Sequence, residues 1–182
     1  MKRILFVCHG NICRSPMAEY IMKHLVAEAG QEDNWYIASA ATSTEELGNP
    51  VYPPARRKLA EHGIRCDGHS ARQLTRSDYD KYDLLVGMDS YNIRNMQRMC
   101  GGDPEGKIIR LLDLTHRPGD VADPWYTGDF EATWCDCLEG CQQLMKKCQL
   151  IQHFTDTLFF CFVHIMMKKS PPVILTVSGI SL

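Results

Sequence analysis

The sequence predicts an α/β fold, a parallel sheet with helices on both faces. Two observations carry that reading. Short strand-like runs at residues 4–7, 35–39, 83–87 and 107–111 alternate with helix-like segments, the pattern of a sheet built from crossover units. The first run, Ile4-Leu5-Phe6-Val7, is continuously apolar, as a strand covered on both faces requires. In such folds ligands bind beyond the carboxyl ends of the strands, so the segment after Val7 is where chemistry is expected.

That segment is a loop from Cys8 to Ser15, followed by Pro16 in the first turn of a predicted helix, where its missing N–H costs nothing. Ala18, Ile21, Met22, Leu25 and Ala29 form one apolar stripe, Glu19 and Lys23 fall off it, and Gly30 supplies a stop. Further helices are expected over 54–62, 90–100 and 127–148. The last carries Phe130, Trp134, Leu138, Cys141, Met145 and Cys148 on one face. Residues 149–182 hold only three charged side chains, Asp156, Lys168 and Lys169. Two parts follow: a domain over 1–148, and an atypical apolar tail over 149–182 that is not expected to belong to it.

Bulk properties exclude several classes. A chain of 182 residues suits one domain, and a formal net charge of −2 gives no electrostatic case for nucleic acid. The apolar stretch 158–167 is too short to span a bilayer, which argues against a membrane protein. Nine cysteines are an odd number, and four apolar residues after Met1-Lys2-Arg3 are too few for a signal peptide. Reduced thiols in a cytoplasmic protein are expected.

The loop reads Cys8-His9-Gly10-Asn11-Ile12-Cys13-Arg14-Ser15. A thiol and a guanidinium separated by five residues, between strand and helix, make a phosphate trap. Backbone N–H groups from His9 through Ser15 and the helix start can point at phosphoryl oxygens. Arg14 adds a planar fork that holds two oxygens at once. The same positive surroundings favour a thiolate at Cys8, the form that attacks phosphorus. Gly10 and Asn11 tolerate the left-handed backbone of a curled loop, and the Ser15 hydroxyl can donate to the sulfur. A leaving group also needs a proton donor. Asp123, in Asp123-Pro124-Trp125-Tyr126, is the leading candidate, with two rings able to flank a flat phenolic substrate.

Val7 through Pro16, VCHGNICRSP, resembles the signature loop of the low-molecular-weight protein tyrosine phosphatases, and Asp123 to Tyr126 resembles their acid loop. Ser39-Ala40-Ala41-Thr42-Ser43 before Gly48-Asn49-Pro50, and His69-Ser70-Ala71-Arg72-Gln73, agree as well; the resemblance covers about residues 2–148. It implies a four-stranded parallel sheet with the phosphate-binding loop after the first strand, and a two-step mechanism without metal or cofactor. Cys8 would be nucleophile, Arg14 the transition-state clamp, and Asp123 acid and then base. Asn11, Ser15, Ser39 and His69 would form the supporting hydrogen-bond network. Cys13 would trap an oxidised Cys8 as a disulfide. Ile12, Glu45, Trp125 and Tyr126 would line the substrate; Ile12 favours phosphotyrosine over phosphoarginine, whereas Glu45 stands where many relatives carry an aromatic residue.

The expected partner is a phosphotyrosine protein or small aryl phosphate, and the expected state a monomer or weak homodimer. Arsenate reductase on the same scaffold remains a rival, although only Cys100 is present as a relay thiol. Phosphoarginine phosphatase is a second. A phosphocysteine carrier module is a third, but needs neither the arginine clamp nor the acid. A zinc site at Cys135, Cys137 and Cys141 is disfavoured, since Cys137 and Cys141 share a buried helix face.

Overall fold

The computed structural model describes the backbone of residues 1–168 and the side chains of residues 1–150. Four parallel strands form one sheet: β1 (Lys2–Cys8), β2 (Trp35–Ala41), β3 (Leu84–Gly87) and β4 (Ile108–Arg110), in the order β2-β1-β3-β4. Pairing of β1 runs from Lys2 opposite Trp35 to Cys8 opposite Ala41 on one side, and from Ile4 opposite Leu84 to Val7 opposite Gly87 on the other. The chain direction across the sheet reverses at β1, so the crevice at its carboxyl end is the natural ligand site. Cys8 is the last residue of that strand.

The helices are α1 (Arg14–Glu28), α2 (Pro53–Glu61), α3 (Arg76–Lys81), α4 (Ser90–Cys100), α5 (Pro124–Thr127) and α6 (Phe130–Lys168). Period-two alternation divides β1 between two cores. Leu5 and Val7 pack with Tyr79, Tyr82, Leu85, Met96 and Ile108 on the α3/α4 face. Ile4 and Phe6 point to the opposite face, the side of the buried Met17, Ala18, Ile21 and Met22 of α1.

Four details depart from the sequence expectation. Helix α1 begins at Arg14, so Arg14 and Ser15 sit in its first turn ahead of Pro16. Glu19, expected off the apolar stripe, is buried. Helix α3 was not foreseen, although Thr75 and Asp78 form a reciprocal capping box, a pattern legible three residues apart. The single helix expected over 127–148 is two: Gly128 takes φ 69° and ends α5, and Asp129 caps α6 through Ala132 N–H at 2.9 Å. Helix α6 then continues past Cys148 to Lys168.

The chain divides into two compact units, Met1–Lys146 and Lys147–Leu182. Of the apolar segment expected over 149–182, the side chains from 151 onward and the backbone from 169 onward lie outside the described residues. Among the described residues no helix is long and apolar enough to cross a membrane.

Candidate active site

The loop after β1 is shaped by where its carbonyls go. Those of Cys8, His9 and Ile12 accept from the N–H groups of Thr42, Ser43 and Tyr52 at 2.9, 3.0 and 2.8 Å. The Asn11 carbonyl accepts from His69 Nε2 at 2.8 Å, and that of Cys13 from Met17 N–H at 3.1 Å. With these carbonyls bonded to the surrounding chain, the Asn11 N–H turns to the thiol and lies 3.3 Å from Cys8 Sγ. Asn11 has φ 58°, the positive-φ backbone that asparagine tolerates at least cost after glycine.

The side chain of Asn11 fixes that shape. Its Nδ2 donates to Ser39 Oγ at 2.7 Å and to Ser15 Oγ at 2.9 Å, while its Oδ1 accepts from Arg72 N–H at 3.1 Å. Ser15 Oγ lies 3.0 Å from Cys8 Sγ. Asn11, Ser15, Ser39 and His69 are therefore in one connected network around the thiol.

Arg14 is buried, with Nη1 donating to Asp89 Oδ2 at 2.6 Å and Nη2 meeting Asp123 Oδ2 at 2.5 Å. Burial opposes its charge, but Cys8, Asp123 and Asp89 outweigh burial and hold its pKa above the ordinary value. Asp89 was not among the sequence candidates. Its signal was positional: a carboxylate two residues beyond β3, capping α4 through Asn92 N–H at 2.6 Å, at the carboxyl edge of the sheet.

One pocket is lined by Cys8, His9, Gly10, Ile12, Cys13, Arg14, Glu45, Glu46, Asp123, Trp125 and Tyr126. It thus gathers the expected nucleophile, clamp and acid with the four expected substrate-lining residues, and adds Glu46. Its floor is the loop and Arg14. One wall is acidic, where Glu45 accepts from His9 Nε2 at 3.0 Å. The other is aromatic, where Trp125 is braced by Tyr52 at 5.5 Å between ring centroids and Tyr126 is exposed. Cys13 shares the pocket, and burial, followed by the nearby Cys8 and Asp123, pushes its thiol up to about 12.

Other cysteines stand apart from the pocket. Cys100, the last residue of α4, packs in the core. Cys137 and Cys141 are buried against α1, with Cys141 Sγ 3.4 Å from the Ala18 carbonyl, and Cys135 faces Glu131 from the surface. Among the described residues no cluster of three or more His, Cys, Asp or Glu side chains could hold a metal ion.

A cysteine whose sulfur accepts from the Asn11 N–H and lies within hydrogen-bond reach of Ser15, an arginine fork held beside it and a carboxylate at the rim can attack, clamp and protonate a phosphate ester. Comparison with known proteins points the same way. Residues 3–153 match the family model described as low molecular weight phosphotyrosine protein phosphatase. The low molecular weight protein-tyrosine-phosphatase YfkJ of Bacillus subtilis is 41% identical over 152 residues, covering 82% of this chain and 97% of the relative. Its crystal structure covers 82% of this chain and 95% of its own, with a TM-score of 0.79. A drosophila arginine phosphatase is 30% identical, with a TM-score of 0.74 and coverage of 81% and 97%.

Proposed function

Because this chain belongs to the low molecular weight phosphotyrosine protein phosphatase family, we propose that it hydrolyses phosphotyrosine through a phosphate ester of Cys8. Cys8 Sγ attacks phosphorus as the P–O bond to the phenol breaks, and Asp123 gives its proton to the departing oxygen. The product is tyrosine and a cysteinyl phosphate. Water then attacks phosphorus, Asp123 takes its proton, the P–S bond breaks, and inorganic phosphate leaves with the thiolate restored.

Each residue has a physical task. The loop's N–H groups and the two terminal nitrogens of Arg14 meet the equatorial oxygens, where charge gathers in the transition state. Phosphoryl oxygens must replace Asp123 on Arg14 Nη2, and that exchange releases the carboxyl group toward the leaving oxygen. Ser15 donates to the sulfur and stabilises it as the leaving group of the second step. Ile12 and Trp125 offer apolar surface to the phenyl ring, and no step draws on a metal or cofactor.

The observation that carries the reading is the joint placement of Cys8, Arg14 and Asp123 in one pocket. Cys8→Ser is expected to abolish phosphate release from phosphotyrosine peptide and p-nitrophenyl phosphate, while vanadate still binds to the loop. More than a few per cent of residual turnover would remove Cys8 from its role. Phosphate release from phosphoarginine in preference to phosphotyrosine would reassign the substrate.

A further inference from the structure

Glu19 is a buried carboxyl group, 6% exposed, and the reaction above gives it nothing to do. It lies one helical turn after Ser15 on the same face of α1, directly behind the loop. Ser39 Oγ donates to its Oε2 at 2.5 Å, and its Oε1 is held by Lys23 from the surface. Tyr20 is a further ionisable neighbour, its hydroxyl pushed up by burial first and by Glu19 next.

We propose that Glu19 is a positioning residue: the accepting end of a hydrogen-bond chain through Ser39, Asn11 and Ser15 that keeps the Ser15 proton on Cys8 Sγ. The direction of every bond follows from one contact outside the chain. Arg72 N–H donates to Asn11 Oδ1, so the amide oxygen is on that side and the nitrogen on the other. Nδ2 spends one hydrogen on Ser39 Oγ and the other on Ser15 Oγ. Each hydroxyl thereby accepts from the amide, and its single proton must go elsewhere. For Ser39 the acceptor is Glu19; for Ser15 it is Cys8 Sγ at 3.0 Å, with the Ala40 carbonyl farther off at 3.4 Å.

Without an acceptor at position 19, the buried Ser39 hydroxyl has no place for its proton and turns it toward Asn11. Asn11 then loses a partner that holds its left-handed backbone, and Ser15 loses its fixed direction. A carboxylate serves best because it only accepts, but an amide oxygen in the same place also accepts.

This proposal rests on Cys8 being the nucleophile, and the test separates the two readings. The measurements are kcat and KM with p-nitrophenyl phosphate, and the rate of Cys8 alkylation by iodoacetamide at fixed pH, located by peptide mapping. Glu19→Ala is expected to lower kcat and alkylation about tenfold, the worth of one well-placed hydrogen bond, with KM little changed. Glu19→Gln should restore most of the loss, and Ser39→Ala added to Glu19→Ala should cost nothing more. Wild-type kcat and alkylation in Glu19→Ala, equal losses in the Gln and Ala variants, or multiplying losses in the double variant would each overturn it. Should Glu19→Ala fail to fold, Ser39→Ala alone decides: unchanged alkylation sinks the chain. Alkylation does not require turnover, so an inactive wild type whose Cys8 still responds to Glu19→Gln and Ser39→Ala would defeat the phosphatase reading and leave this one standing.

Discussion

Asp123 has two partners to choose between, and that choice gives the sharpest test of its role. In this structure its carboxylate is on Arg14 Nη2, the nitrogen that a phosphoryl oxygen would claim. Replacing it with alanine removes both a competitor for the fork and the proton donor. Asp123→Ala should therefore bind vanadate at least as tightly as wild type while turning over more slowly. The loss should reach about 10²–10⁴-fold for phosphotyrosine peptide, whose phenolate leaves poorly unprotonated, and be much smaller for p-nitrophenyl phosphate. Rates against aryl phosphates of rising leaving-group pKa check this: a shallow line is expected for wild type and a steep one for the variant. Parallel lines would mean that another residue delivers the proton. Residues of this kind were legible in the sequence because Cys8, Arg14 and Asp123 are chemically distinctive at their positions. Asp89 and Glu19 were not, because a carboxylate after a strand or on a helix has many ordinary uses, and only the fold turns these two toward the loop.

At the scale of elements, helix α3 ties its own cap to the site. Asp78 accepts from Thr75 N–H at 2.8 Å and from Arg72 Nη1 at 3.0 Å, and the Arg72 backbone N–H holds Asn11. Burial alone would raise the Asp78 carboxyl; Arg72 and Thr75 outweigh it and hold it below its ordinary value. The unfolded chain then takes up this proton first as pH falls. The contribution is complete above the ordinary carboxylate value of about 4 and is lost as pH drops through the folded one. Asp78→Asn should be less stable than wild type near neutrality, and the gap in urea midpoint should narrow below about pH 4. A constant gap would show that the pair adds nothing that titrates. Packing between elements is tested by Gly140 of α6, where an added Cβ would collide with the fully buried Leu111. Gly140→Ala should cost about 1–3 kcal/mol in denaturant unfolding with little change in kcat. The capping box at Thr75 was legible, but the six-residue helix it opens is too short to show a periodic stripe, and a glycine inside a helix declares its neighbour only once the chain is folded.

For the whole molecule, alternation of apolar strands with amphipathic segments was enough to foresee the parallel sheet, because burial on both faces leaves continuous apolar runs. Strand order and the break at Gly128 were beyond that signal, since both depend on which segments pack together. The remaining question at this scale is how much chain the chemistry requires. Every pocket residue lies between Cys8 and Tyr126, and the buried α6 side chains within the first unit include Trp134, Cys137, Cys141 and Leu144. The family match ends at residue 153. A chain ending after His153 should therefore keep kcat/KM within about twofold, since no group that contacts substrate is removed. Its unfolding should remain a single cooperative transition, as expected of one intact domain. The sequence after residue 153 is rich in apolar side chains, so the shortened protein should also stay soluble to higher concentration. Loss of the cooperative transition in the shortened chain would show instead that residues beyond 153 complete the core, and that the domain boundary lies later than the family match.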